Sequence, residues 1–125
     1  MKAVGDYLHG LNLKFGIYSS AGTKTCQGRA GSLDFEDIDA ADYAAWGVDY
    51  LKYDNCYNEG RKSVDRYTKM RDALLKQSRK IYYSICNWGE EDTWKWARDL
   101  GNSWRTTGDI SNKWSSARVN FLSNA

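Results

Sequence analysis

Apolar and polar positions along this chain follow two rhythms, one of about 3.6 residues and one of two, and the rhythms take turns. Val4, Tyr7, Leu8 and Leu11 fall on one helical face, so the chain is expected to open inside a helix whose pattern calls for further residues before it. Residues 13–18 read as a strand. Residues 19–32 are rich in Gly, Ser and Thr and long for such a connection, the mark of a functional loop. The spacing then predicts a helix over 35–46, with Ile38, Ala41, Ala45 and Trp46 inward. Glu36, Asp37 and Asp39 would sit at its positive end. Gly47 stops it, and residues 48–53 form the next strand, which delivers Asp54 at its C-terminal end. The longest helix is expected over 62–78, striped by Val64, Tyr67, Met70 or Arg71, Leu74 and Leu75. A strand over 80–86, a Trp-rich helix over 91–100, a brief strand over 103–106 and a weak helix over 110–119 complete the order.

Strands that alternate with helices at this spacing argue for βα units around a parallel sheet. Polar residues gather just past the strand ends, near Tyr18, Asp54, Asn87 and Asp109. A (β/α) barrel keeps its chemistry on that rim. Four strands do not close a barrel, so the pattern fits part of an eight-unit barrel or a small open α/β layer. No composition shift or low-complexity tract divides the chain, which reads as one domain or one piece of a domain.

Composition removes other classes. Hydrophobic residues make up 42% and aromatic residues 14%, which excludes disorder. A net charge of +2, without a run of basic residues, leaves no footprint for nucleic acid. No apolar stretch is long enough to span a bilayer, and the first residues lack the apolar centre of a signal peptide. Cys26, Cys56 and Cys86 lie thirty residues apart, which is not metal-ligand spacing. They allow one disulfide and one free thiol, with any two able to pair. The Gly22, Gly28 and Gly31 loop carries no nucleotide-binding motif, and no cofactor is expected.

The chemistry points to Asp54 and Asp109. Each ends a strand unit, so in a barrel both would reach one cleft. Two carboxylates flanking one bond are the equipment of glycoside hydrolysis. Read locally, Asp54 serves equally as a turn carboxylate and Asp109 as the N-cap of the segment that begins at Ile110. Lys52, two residues before Asp54, shares its strand face and favours an ionised carboxylate. Arg105, four residues before Asp109, offers a fork of donors to hydroxyls or to a carboxylate, or a neutralising ion pair. Tyr18 and Trp88 lie beside loops, where aromatic rings stack on sugars, whereas Trp94 and Trp96 read as packing. His9 reads as a surface or packing residue, without partners for a metal site or a catalytic triad.

Four blocks carry a resemblance. They are Leu13-Lys14-Phe15-Gly16-Ile17-Tyr18-Ser19-Ser20-Ala21-Gly22, Gly47-Val48-Asp49-Tyr50-Leu51-Lys52-Tyr53-Asp54-Asn55-Cys56, Cys86-Asn87-Trp88-Gly89 and Asn102-Ser103-Trp104-Arg105-Thr106-Thr107-Gly108-Asp109-Ile110. In this order they resemble successive rim motifs of the alpha-galactosidase family, glycoside hydrolase family 27 or melibiase. The resemblance implies an α/β fold, a partial (β/α)8 TIM barrel of four consecutive units, roughly strands three to six, with residues 1–125 a fragment of the catalytic domain. It implies a retaining hydrolase of terminal alpha-D-galactosyl residues in melibiose, raffinose-type oligosaccharides or galactomannan. Asp54 would be the nucleophile and Asp109 the general acid/base. Tyr18, Lys52, Cys86, Trp88 and Arg105 would line the sugar pocket. Cys26 and Cys56 would form the disulfide and leave Cys86 free. Retention would place the two carboxyl groups about 5 to 5.5 Å apart. The expected partner is a small carbohydrate, with no metal, nucleic acid or membrane, and the family's location is secreted or vacuolar.

Two departures qualify the resemblance. Ser20 stands where the family commonly has Asp, which removes a charge near the pocket. The upstream and downstream strands of the family's barrel have no counterpart in these 125 residues, so a non-catalytic or sugar-binding remnant is the alternative expectation.

Overall fold

The computed structural model describes residues 1–124. Strands β1 (Gly16–Ser20), β2 (Tyr50–Asp54), β3 (Tyr82–Cys86) and β4 (Ser103–Trp104) form one sheet in sequence order. Every neighbouring pair is parallel. Helices α1 (Lys2–Gly10), α2 (Glu36–Ala45), α3 (Ser63–Leu75), α4 (Thr93–Trp96) and α5 (Trp114–Leu122) lie between and beyond the strands, and a 3-10 turn (Ala97–Asp99) follows α4.

The two faces of the sheet differ in chemistry because side chains alternate along a strand. Leu51, Tyr53, Tyr83 and Ile85 point to one face and pack beneath Ala40 and Tyr43 of α2 and Tyr67, Met70, Ala73 and Leu74 of α3. Tyr53 meets Tyr67 edge to face at 5.6 Å. The opposite face carries Tyr18, Tyr50, Lys52, Tyr82 and Ser84, all exposed or half-buried, with Tyr50 stacked on Tyr82 at 5.6 Å. All-parallel sheets are ordinarily covered on both faces. Here the helices cover one face, and polar and aromatic side chains occupy the other.

The elements begin and end where backbone bonding decides. β1 starts at Gly16 rather than residue 13. Leu13 N–H still bonds Leu8 O at the end of α1, and Phe15 bonds Asp49 from both its N–H and its carbonyl, so the ladder opens one residue later. The inward face of α1 is Gly5 and Leu8, while Val4, Tyr7 and Leu11 stay exposed; a Cβ at Gly5 would run into the Trp46 carbonyl. α2 buries Glu36, Ala40 and Tyr43, not Ile38, Ala41 and Ala45. Ala40 and Tyr43 pack into the core, and the Tyr43 hydroxyl lies 3.1 Å from Ser32 Oγ. α3 keeps Tyr67, Met70 and Leu74 of the expected stripe inside and adds Ser63 and Ala73, while Val64 is half-buried and Leu75 is exposed; the guanidinium of Arg66 also lies buried on this face. The Trp-rich helix is a single turn followed by the 3-10 turn. Trp96 packs on Tyr67 while Trp94 is exposed. The last helix starts at Trp114 and buries no residue.

At the N-terminal end of the strands, Asp49 is the fastening point. One carboxylate oxygen accepts the Phe15 N–H at 2.8 Å and pairs with His9 Nε2 at 2.8 Å. The other accepts from Arg79 at 2.6 Å. Partial burial alone would raise this carboxyl, but the Phe15 N–H, His9 and Arg79 outweigh it and lower it from 3.8 to about 2. Its contribution to stability is therefore complete above the ordinary carboxylate range and lost as pH falls through about 2. Asp49→Asn is expected to cost about 2 kcal/mol in urea unfolding at neutral pH. The gap from the unsubstituted protein should narrow between pH 4 and pH 2, and a gap that stays constant over that range would contradict this role.

Candidate active site at the C-terminal strand ends

The register brings the rim together. Tyr18, Lys52 and Ser84 form one cross-strand row, and Ser20, Asp54 and Cys86 the next. Both rows lie on the face away from the helices, and the second ends the strands.

Asp54 is the centre of the second row and is 5% exposed. Its Oδ2 accepts the Tyr18 hydroxyl at 2.9 Å and its Oδ1 accepts the Asn55 N–H at 2.9 Å. The Ala21 N–H donates to its main-chain carbonyl at 2.8 Å. Burial pushes Tyr18 up to about 12, reinforced by the neighbouring Asp54 carboxylate, although the Cys26 N–H draws it partly back. Tyr18 therefore remains a phenol and a donor to Asp54 at any working pH. Lys52 shares the face of Asp54, and its ammonium lies over the Tyr18 ring, 5.5 Å from the centroid, rather than in an ion pair with the carboxylate.

Cys86 is buried and free, in register with Asp54. Burial raises its thiol, the Asp54 charge adds to that, and Arg105 opposes it. Arg105 follows β4 and links two groups: one guanidinium nitrogen lies 3.5 Å from Cys86 Sγ and 2.7 Å from Asp109 Oδ1. Of the roles open to Arg105, the structure thus records the one toward a carboxylate. The Asp109 side chain is 88% exposed. It does not cap a helix, because α5 begins at Trp114 with Lys113 in the cap position. Trp88 is half-buried in the loop after β3, with a left-handed φ of 62°. That loop presses on the segment after β4, since a Cβ at Gly89 would strike the Thr106 carbonyl.

Cys26 and Cys56 form a disulfide with Cα atoms 5.1 Å apart, fastening the loop after β1 to the loop after β2. Around it the two loops already touch. Ser20 Oγ donates to the Cys56 carbonyl at 3.0 Å, the Thr23 N–H donates to Tyr57 O at 3.0 Å, and a Cβ at Gly22 would run into the Cys56 carbonyl. The two sulfurs and an Asp54 oxygen lie within 4.8 Å of one another. Both sulfurs are bonded to each other, so they offer no thiolate pair to a metal.

The residue pattern marks Asn87 as a polar strand-end residue but gives no role to Arg66, Glu90, Glu91 or Thr93 behind the rim. Asn55 donates to Glu90 at 2.8 Å and accepts from Arg66 at 2.7 Å. Asn87 donates to Glu90 O at 2.7 Å and accepts from Thr93 Oγ1. Glu91 caps α3 from a distance, accepting the Ser63 N–H and hydroxyl. The available signal was a run of amides and carboxylates directly after two strand ends.

Parallel βα units that gather a buried carboxylate, a phenol and a guanidinium toward the C-terminal ends of their strands have the architecture of a (β/α) barrel enzyme. Residues 1–124 match the family model described as Melibiase_2, Alpha galactosidase A. "Alpha-galactosidase 2" of Arabidopsis thaliana is 56% identical over 117 residues, covering 93% of this chain and 30% of that protein. The crystal structure of alpha-galactosidase I from Mortierella vinacea superposes with a TM-score of 0.86 at 54% identity, over 88% of this chain and 29% of that one. The alpha-galactosidase from Saccharomyces cerevisiae solved with raffinose gives a TM-score of 0.87 at 47% identity, over 90% of this chain and 26% of that one. The chain belongs to the alpha-galactosidase family, and its four strands are part of a TIM barrel. It spans about 30% of the length of the curated relative.

Because the disulfide closes a separation of 30 residues, Cys26→Ser is expected to lower stability by about 3 to 4 kcal/mol. The measurement is denaturant unfolding with and without reductant. The Cys26→Ser variant should be insensitive to reductant; a reductant effect of equal size in both proteins would refute the assignment.

Proposed function

We propose that these residues are a fragment of the catalytic barrel domain of a retaining glycoside hydrolase that removes terminal alpha-D-galactosyl residues. Asp54 is the nucleophile and Asp109 the general acid/base. The observation that carries this reading is the setting of Asp54: a buried carboxylate at a strand's C-terminal end, with one oxygen bonded by a phenol and the other by a backbone N–H. Donors on both oxygens fix the orientation of this carboxylate, which a nucleophile needs.

In the first half-reaction Asp54 attacks the anomeric carbon, and the Asp109 carboxyl gives its proton to the departing glycosidic oxygen. In the second, the Asp109 carboxylate takes a proton from water as that water displaces Asp54, so the anomeric configuration is retained. Arg105 holds Asp109 at 2.7 Å, restraining a side chain otherwise open to solvent. Tyr18, Lys52, Cys86, Trp88 and Arg105 line the sugar site, with hydroxyl, ammonium and guanidinium groups toward the sugar hydroxyls and the rings of Tyr18 and Trp88 available for stacking. Raffinose-type oligosaccharides, melibiose and galactomannan side chains are the substrates, consistent with raffinose in the Saccharomyces cerevisiae structure. A structural disulfide supports a secreted or vacuolar location.

The test is hydrolysis of a chromogenic alpha-galactoside by the complete protein. Asp54→Asn should lower kcat by about 10⁴-fold, and Asp109→Asn by about 10² to 10⁴-fold. The Asp109→Asn loss should be smaller for a substrate whose leaving group needs no proton. Turnover that survives Asp54→Asn would overturn the nucleophile assignment.

A further inference from the structure

Arg66 is the one guanidinium of α3 that turns into the protein, and it is 2% exposed. No carboxylate pairs with it directly among the described residues. Instead it bonds four neutral acceptors: Arg61 O at 2.9 Å, Ala21 O at 2.7 Å, Asn55 Oδ1 at 2.7 Å and Ser63 Oγ at 3.2 Å. Its plane also lies over the Tyr67 ring, 5.6 Å from the centroid. An apolar side chain of similar volume would leave these acceptors unpaired in the interior, so what Arg66 supplies is a set of directed bonds.

The identity of the acceptors gives the arrangement its meaning. Ala21 donates its N–H to the main-chain carbonyl of Asp54 at 2.8 Å, and its own carbonyl is held by Arg66. Asn55 donates its N–H to the carboxylate of Asp54 at 2.9 Å, and its side-chain carbonyl is held by Arg66. One guanidinium thus grips both residues whose backbone amides fix Asp54, one on each flanking loop. Only a planar fork of donors spans such acceptors at once.

We propose that Arg66 is a positioning residue for Asp54, acting through Ala21 and Asn55 to fix where the carboxylate stands and how strongly the Asn55 N–H bonds it. Arg66 lies behind the rim and touches no substrate. The proposal rests on the reading of Asp54 as nucleophile. The other titratable groups around that carboxylate are Tyr18 from β1, Lys52 on β2, Cys86 from β3, and Arg105 beyond β4 through Cys86.

The decisive variant is Arg66→Lys in the complete protein, because lysine keeps the positive charge and loses the fork. kcat on a chromogenic alpha-galactoside should fall on the order of 10²-fold, as misplacement of a reacting group by about 1 Å does. Covalent labelling of Asp54 by an activated fluoro-galactoside, read by mass spectrometry, should slow in parallel. KM should stay within about twofold, because Arg66 touches no substrate, and labelling should slow yet still reach one equivalent per chain; loss of folding would lower that end point instead. Asn55→Ala, which removes the acceptor and keeps Arg66, should give the same split between kcat and KM and serves where Arg66→Lys does not fold. Labelling of Asp54 in the unsubstituted protein, together with unchanged kcat and an unchanged labelling rate in a folded variant, would overturn the role of Arg66 and leave the nucleophile standing. Full turnover in Asp54→Asn would overturn both.

Discussion

In a parallel sheet a side chain shares its face with the one two residues on and lies beside its partner on the next strand, so the register decides which functional groups become neighbours. Here the pairing of Ser20 with Asp54 and of Asp54 with Cys86 sets the whole rim. A slip of one residue would turn Asp54 and Lys52 into the apolar layer and bring Tyr53 and Leu51 to the polar face. Nothing about the individual residues prevents such a slip. What prevents it is the volume of Leu51, Tyr53, Tyr83 and Ile85 beneath α2 and α3, together with Asp49 fastening β1 and β2 at their start. The packing of one face therefore specifies the chemistry of the other.

Much of this was legible in the residue pattern, and for stated reasons. The alternation of helix and strand, the position of Asp54 at a strand end and the shared face of Lys52 all follow from local periodicity. The pairing of Cys26 with Cys56 came from the family resemblance rather than from spacing. Local pattern did not reveal how α2 is rotated: its buried face is Glu36, Ala40 and Tyr43, and the Tyr43 contact with Ser32 has no signature along the chain. Along the longest helix it also drew a stripe that left out Arg66. Its burial depends on carbonyls supplied by loops 45 and 11 positions away. The start of β1 shifted because the Leu13 N–H kept a backbone bond to the end of α1 that a strand would otherwise have taken.

Ser20 illustrates how a departure from a family's habit can be absorbed. A shorter, uncharged side chain there places no carboxylate beside Asp54. It is fully buried, and its hydroxyl closes on the carbonyl of Cys56. The loops it joins are bonded to each other at several other points, so their alignment does not depend on a charge at this position.

The loop after β3 has a different character. Trp88, Glu91 and Asp92 all adopt a left-handed backbone that side chains of their kind disfavour, and Gly89 adopts it as well. Such conformations cost on the order of 1 to 3 kcal/mol each and persist only where the surroundings impose them. Here the surroundings are Asn87 and Thr93 inside the loop and the Thr106 carbonyl outside it. The shape presented by Trp88 is therefore borrowed from the fold. A short peptide with this sequence would not reproduce it, and an antibody raised against the folded loop would recognise a surface that the denatured chain does not display.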